Sequence, residues 1–272
     1  METHIEFWDA HALLAWQVEL GATDAICDAP IDRYAIEEVA TAQVSARSAR
    51  SSDAAAQLPE PEPTIDPASQ AMVAARAAGD LDALRDALES FEHCALKRGA
   101  RNLVFADGTP GARVMVIGEA PGREEDRQGK PFVAEAGQML DAMFAAIGLS
   151  RTPRTPDAGL YITTALPWRP PENRDPTADE IAMLKPFLIR HIELADPQVI
   201  VLMGNWACMA LLGRAGITRM RGTWQEVLGR PAMPMTHPGY LLRNPVGKRD
   251  AWADLLNIQA RLRAKGTSDG SH

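Results

Sequence analysis

The stretch RVMVIGEAPGREEDRQGKPFV, residues 113–133, decides the reading of this chain. Its first five residues are β-rich and apolar, and they break at once into a glycine-bounded turn crowded with acids. Gly118 and Gly122 let the backbone turn sharply and approach a ligand closely. Glu119, Glu124, Glu125 and Asp126 bring carboxylates to a place where one of them could orient or deprotonate a water. Phe132, held after Pro131, offers a flat face for stacking. On its own the segment reads equally well as a surface turn with solvated acids and a buried Phe. A phosphate-binding loop is rejected, because neither a Walker pattern nor Gly-x-Gly-x-x-Gly is present and the acids would repel phosphate.

Outward from that stretch the pattern alternates. Short β-rich runs recur at 160–164, 199–203 and around 233–236, and helical stretches at 136–147, 177–194, 206–212 and 248–262 separate them. Strands alternating with helices imply an α/β fold with parallel pairing, since parallel strands need a long crossover. Ligands of such sheets bind at the loops leaving the carboxyl ends of the strands.

Two further loaded segments fall at such loops. In YITTALPWRPPENRDP, residues 161–176, Thr164 ends a strand and is expected to point its hydroxyl at the rim. Trp168, Arg169 and Arg174 lie on a Pro-stiffened loop suited to a phosphate backbone, although Trp168 by itself is better read as core. In THPGYLLRNP, residues 236–245, His237 follows the last strand, and Tyr240, Leu241 and Leu242 precede Arg243. Apolar side chains on a loop among basic residues are what a wedge needs to fill the gap left by an extruded nucleotide.

Together these segments resemble the family 4 uracil-DNA glycosylases, from about Phe91 to Leu262. The pieces are Gly-Glu-Ala-Pro-Gly with Glu-Asp, Pro-Phe-Val, Tyr-Ile-Thr, Arg-Pro-Pro with Asn-Arg, and His-Pro before Leu-Leu-Arg, in matching order and spacing. The resemblance implies a three-layer αβα fold on a central four-stranded parallel sheet, no catalytic metal, and flipping of the target base into a pocket. By position it implies Glu119 and Glu125 near the attacking water, with Gly118 and Ala120 giving backbone to the pocket. Phe132 would stack on the base and His237 would face the base's O2. Uracil, or another deaminated base, in DNA is the implied substrate, and an abasic site the product.

This chain departs from the resemblance in two places. Family 4 members carry four cysteines holding an iron–sulfur cluster, and the matching positions here are Phe91, Cys94, Trp168 and Leu184. One thiol cannot build a Cys₄ cubane, so no cluster and no other cofactor is expected, and apolar packing should take its place. Members also carry Asn where this chain has Thr164. An amide offers a donor and an acceptor together, whereas a hydroxyl is smaller and rotates, so base preference is expected to weaken, broaden or vanish. A non-catalytic or altered-specificity damaged-DNA binding module of the same fold is therefore the alternative, and a small-nucleotide hydrolase a third. No Lys in the matched motifs is placed for Schiff-base chemistry, so a monofunctional enzyme is expected. No His-bearing insertion follows Arg-Pro-Pro-Glu-Asn-Arg, unlike relatives that trap their product covalently.

Composition sets the frame. The chain has 272 residues and a net charge of −8, unevenly spread: residues 1–94 carry 5 Lys/Arg against 18 Asp/Glu, whereas 95–265 carry 23 against 17. An acidic N-terminal segment joined to a mildly basic body is a weak hint of nucleic-acid contact. Three scattered cysteines speak against disulfides and a zinc cage and for a reducing cytoplasm. There is neither a signal-like N-terminus nor an apolar run of membrane-spanning length, so no membrane partner is expected. The expected organisation is a helical segment over 1–45, with residues 7–26 amphipathic around Trp8 and Trp16. A flexible acidic Pro/Ala linker over 46–79, the catalytic domain over 80–265 and a disordered tail over 266–272 complete it. A monomer is expected, with the N-terminal helix available to an unknown protein partner.

Overall fold

A computed structural model of the chain describes residues 66–266. The expected N-terminal helix and most of the expected tail lie outside them. Three short helices lead in: α1 (Pro67–Ala77), α2 (Leu81–Ser90) and α3 (Ala95–Gly99). The first two begin on aspartates: Asp66 accepts from the backbone N–H of Ala68 and Ser69, and Asp80 from that of Ala83. Helix α1 falls inside the 46–79 stretch read as a flexible linker, so that reading is corrected for residues 67–77. It packs on the long helix α6 (Ala178–Ala195), which opens with a capping box between Thr177 and Glu180.

The sheet is built from β1 (Asp107–Gly108), β2 (Val114–Gly118), β3 (Leu160–Thr164), β4 (Val199–Met203), β5 (Gln225–Val227) and β6 (Arg230–Met235), in the order β1-β3-β2-β4-β6-β5. The four central strands are the expected parallel set. Two short antiparallel strands, β1 and β5, flank them and bring the described sheet to six.

Every residue of β2, β3 and β4 is buried, as parallel strands covered on both faces require. Alternate side chains enter different cores. Met115, Ile117, Ile200 and Leu202 join the core with α1, α2, α6 and α7 (Asn205–Leu212), whereas Val114, Val116, Val199 and Val201 join the core with α5 (Glu135–Ala145) and α10 (Lys248–Gly266). Helices therefore cover both faces, which makes three layers. The remaining helices are short: α4 (Arg123–Gln128), α8 (Ile217–Met220) and α9 (Pro238–Arg243). Among the described residues no helix is long and apolar enough to cross a membrane.

Candidate active site

The carboxyl ends of the parallel strands carry the chemistry. Strand β2 runs to Gly118, which pairs in register with Thr164 at the end of β3. A Cβ on Gly118 would lie 2.6 Å from Cε2 of Phe132, so only glycine lets that ring settle against the strand end. Phe132 holds a left-handed backbone with φ 53°, a conformation that costs a non-glycine residue on the order of 1–3 kcal/mol. Its surroundings impose it. Arg151 donates from Nη2 to the Phe132 carbonyl (2.7 Å) and from Nη1 to the Pro131 carbonyl (2.9 Å), and is anchored by Asp107 and Asp141. Glu125 Oε1 accepts from the next two backbone N–H groups, those of Val133 (3.1 Å) and Ala134 (3.5 Å). Gly137, in the first turn of α5, passes so close to the Phe132 carbonyl that a Cβ would overlap it at 1.8 Å.

His237 follows β6 and caps α9. Its ring lies against that of Phe132, with centroids 5.4 Å apart and planes 26° from parallel. Nδ1 accepts the backbone N–H of Gly239 at 3.1 Å. An imidazole whose Nδ1 accepts carries its proton on Nε2, and among the described residues Nε2 has no hydrogen-bond partner. Burial, and then the charge of Arg243, lower its pKa to about 4, against a smaller opposing pull from Glu125. At neutral pH this is therefore a neutral ring presenting one N–H donor.

Glu119 leaves β2 and reaches the start of α7, where Oε1 accepts from the Trp206 N–H at 3.1 Å. Gly204, at φ 101°, makes room: a Cβ there would lie 2.5 Å from the carboxyl carbon. Burial raises the Glu119 pKa, and the backbone donors of Trp206 and Asn205 oppose that shift. Both carboxylates thus use Oε1 on backbone N–H groups.

Several residues expected to touch substrate are placed otherwise. Thr164 is buried, and its hydroxyl donates to the Leu166 carbonyl at 2.7 Å instead of pointing at the rim, so toward a base it can only accept. Arg174 is locked in a two-pronged pair with Glu180 at 2.6 and 2.9 Å, which clamps the Pro loop onto α6 and leaves little of its charge for a phosphate. Arg169 donates through Nε to Asn173 and keeps its outer nitrogens open. Leu241 is fully buried in the core beneath α9 and cannot act as a wedge, whereas Tyr240, Leu242 and Arg243 are exposed. Ala120 lies half-buried just past β2. Two contributors were missed. Val246, 92% exposed beside the Tyr240 loop, is the most exposed large apolar residue among those described. Arg151 was overlooked because its partners lie 10 to 44 residues away in sequence, and no local spacing announces them.

The positions where the resemblance puts cluster cysteines are a hydrocarbon core. Phe91, Cys94, Trp168 and Leu184 are all buried in one cluster, and Phe91 also meets Phe187 edge-on at 5.3 Å. Burial raises the Cys94 pKa, which disfavours the thiolate that a metal would need. These four residues do not fit a four-thiolate group.

Residues 105–257 match the family model described as the uracil DNA glycosylase superfamily. The chain is 37% identical over 154 residues to a type-4 uracil-DNA glycosylase of Thermotoga maritima, covering 56% of this chain and 77% of the relative. It is 34% identical over 197 residues to one of Saccharolobus solfataricus, covering 68% and 88%. With one of Archaeoglobus fulgidus it shares 35% over 187 residues, covering 65% and 91%.

Proposed function

Because the chain belongs to the uracil-DNA glycosylase superfamily, we propose that it excises uracil from DNA by hydrolysing the N-glycosidic bond, leaving an abasic site. The observation that carries this reading is the juxtaposition of Phe132 and His237 at the sheet's carboxyl rim, with the Nε2–H of a neutral imidazole unused. An enzyme acting on a base inside a duplex must first extrude it, and an aromatic face gives the flipped base a stacking partner.

As the bond to the sugar breaks, positive charge grows at C1′ and negative charge on the departing base. The Nε2–H of His237 donates to the base oxygen where that charge collects. A neutral donor already held by the Gly239 N–H needs no reorganisation at that moment. Water adds its oxygen to C1′ and surrenders a proton, and the base leaves with its bonding electron pair and is protonated on release. Glu119 is the carboxylate we assign to orient this water through Oε2, and its negative charge favours the cationic sugar. Glu125 we assign chiefly to positioning, since its Oε1 fixes the backbone that aims Phe132. The one lysine in these motifs, Lys130, turns its ammonium toward Asp107 at 3.8 Å, and with no lysine assigned to Schiff-base chemistry the enzyme is proposed to be monofunctional. It is also proposed to work without an iron–sulfur cluster, since apolar side chains fill that place.

The test is release of free uracil from a labelled oligonucleotide under single-turnover conditions, without added metal. No free base from excess enzyme would sink the proposal. Thr164 supports a second reading, a damaged-DNA binder without turnover, because its only hydroxyl proton is engaged at Leu166. Thr164→Asn separates the two. A large gain in release points to an intact pocket with a poor reader, and no release from either protein points to the binder.

A further inference from the structure

Against the segments that leave β2 and β3 lies a cleft of about 660 Å³ lined by Arg101, Arg123, Glu124, Asp126, Arg127 and Arg169. Four arginines from three separate segments converge there, and the segments are braced to one another. The backbone N–H groups of Arg101 and Asn102 donate to Asp126 Oδ1 at 2.8 and 3.3 Å, and Asn102 Nδ2 donates to the Asp126 carbonyl at 2.7 Å. The Val104 N–H donates to the Pro167 carbonyl at 2.8 Å, tying the same strap to the loop that carries Arg169.

The two acids in the lining do not cancel the four cations. Asp126 is buried and turned onto the strap's backbone, and Glu124 pairs with Arg127 through Nε at 3.0 Å. Arg101 and Arg123 are exposed, and among the described residues their guanidinium groups have no hydrogen-bond or ion-pair partner. With the outer nitrogens of Arg169, three planar forks face open water from a fixed frame, the geometry that matches a phosphate oxygen pair.

We propose that this cleft is a DNA phosphate-binding surface, gripping the backbone of the strand that carries the extruded nucleotide, with Arg101 and Arg123 its principal contacts. This rests on the glycosylase reading for its partner, and placement supports it. Arg123 stands two residues before Glu125, which holds the Phe132 loop, and Arg169 five residues after Thr164. The contact is blind to sequence, because phosphate contacts position a protein on DNA while base contacts specify.

The test is equilibrium binding of the full chain to uracil-containing and undamaged duplexes over a salt series. Each phosphate contact contributes about 0.9 to the slope of log affinity against log salt, so R101Q/R123Q should flatten that slope by about 2. It should weaken both duplexes alike, with a thermal midpoint matching the parent. R214Q/R219Q, on a cleft beyond α7, is the control and should change neither slope nor affinity. An unchanged slope in R101Q/R123Q, an equal loss in the control, or a loss confined to uracil-containing DNA would overturn the proposal. Base release by the parent is scored separately. Release with an unchanged slope removes the surface and keeps the enzyme, whereas a flattened slope without release removes the enzyme and keeps the surface.

Discussion

His237 illustrates how a residue's surroundings decide its chemistry. The Gly239 N–H fixes the tautomer and burial fixes the charge, so one N–H donor stays available across the neutral range. His237→Ala should therefore slow base release by about 10²- to 10³-fold in single-turnover assays, the usual loss for a preorganised donor to a developing anion. A drop of only a few-fold would show that another group carries the negative charge. With a pKa near 4, the ring stays neutral from pH 5 to 8, so no activity step near pH 6.5 should be traceable to it. A step there that vanishes in the variant would contradict the burial argument. Phe132 and His237 were legible from motif spelling, since each sits at a strand end within a recognisable string. Thr164 was only half legible: its place followed from the strand, but the direction of a rotating hydroxyl depends on a carbonyl that a linear reading cannot locate.

At the scale of the element, the Phe132 loop is held from three sides, by Arg151, Glu125 and the bare first turn of α5. Arg151→Ala should cost about 1–3 kcal/mol of stability through unpaired carbonyls and should also lower kcat more than it raises KM, because the ring loses its aim. A stability loss with unchanged kinetics would make the arginine merely structural. Gly137→Ala should do more harm, since the new methyl meets a backbone carbonyl and not a side chain that could swing away. Thermal unfolding against the parent measures it, and a matched midpoint would refute the close approach. Strands β2 and β4 were the most readable, because burial on both faces makes them unbroken apolar runs. The edges were not: β1 has two residues and β5 three, too few for a pattern. Pro231 hid the first half of β6. Helix α1 was missed because its alanine-rich sequence has little apolar contrast between faces, and its hold on the domain comes from packing against α6.

Among the described residues, the buried His191 and the half-buried His237 shape the response to acid. His191 bonds the Tyr161 hydroxyl at 2.9 Å beneath a stacked Phe105, and burial lowers its pKa to about 3. His237 is lowered to about 4. The unfolded chain protonates both near 6.5 and the folded chain does not, so between those values acid favours unfolding. Stability should be full above about pH 6.5 and fall steadily below it, with Glu119 and Asp254, whose pKa values burial raises, opposing weakly. Thermal midpoints across pH 7.5 to 4.5 measure this, and a flat profile would show that neither ring stays neutral when folded. The hydrocarbon core around Phe91, Trp168 and Leu184 bears on the same domain. The one thiol among the four matched positions, Cys94, is sealed from solvent, and burial raises its pKa and so favours the thiol. Ferricyanide, peroxide and iron chelators should find nothing there to strip or oxidise, and base release should survive all three at the parent rate. A cell short of iron, or flooded with oxidant at the moment its cytosines are deaminating, would then keep this repair step running.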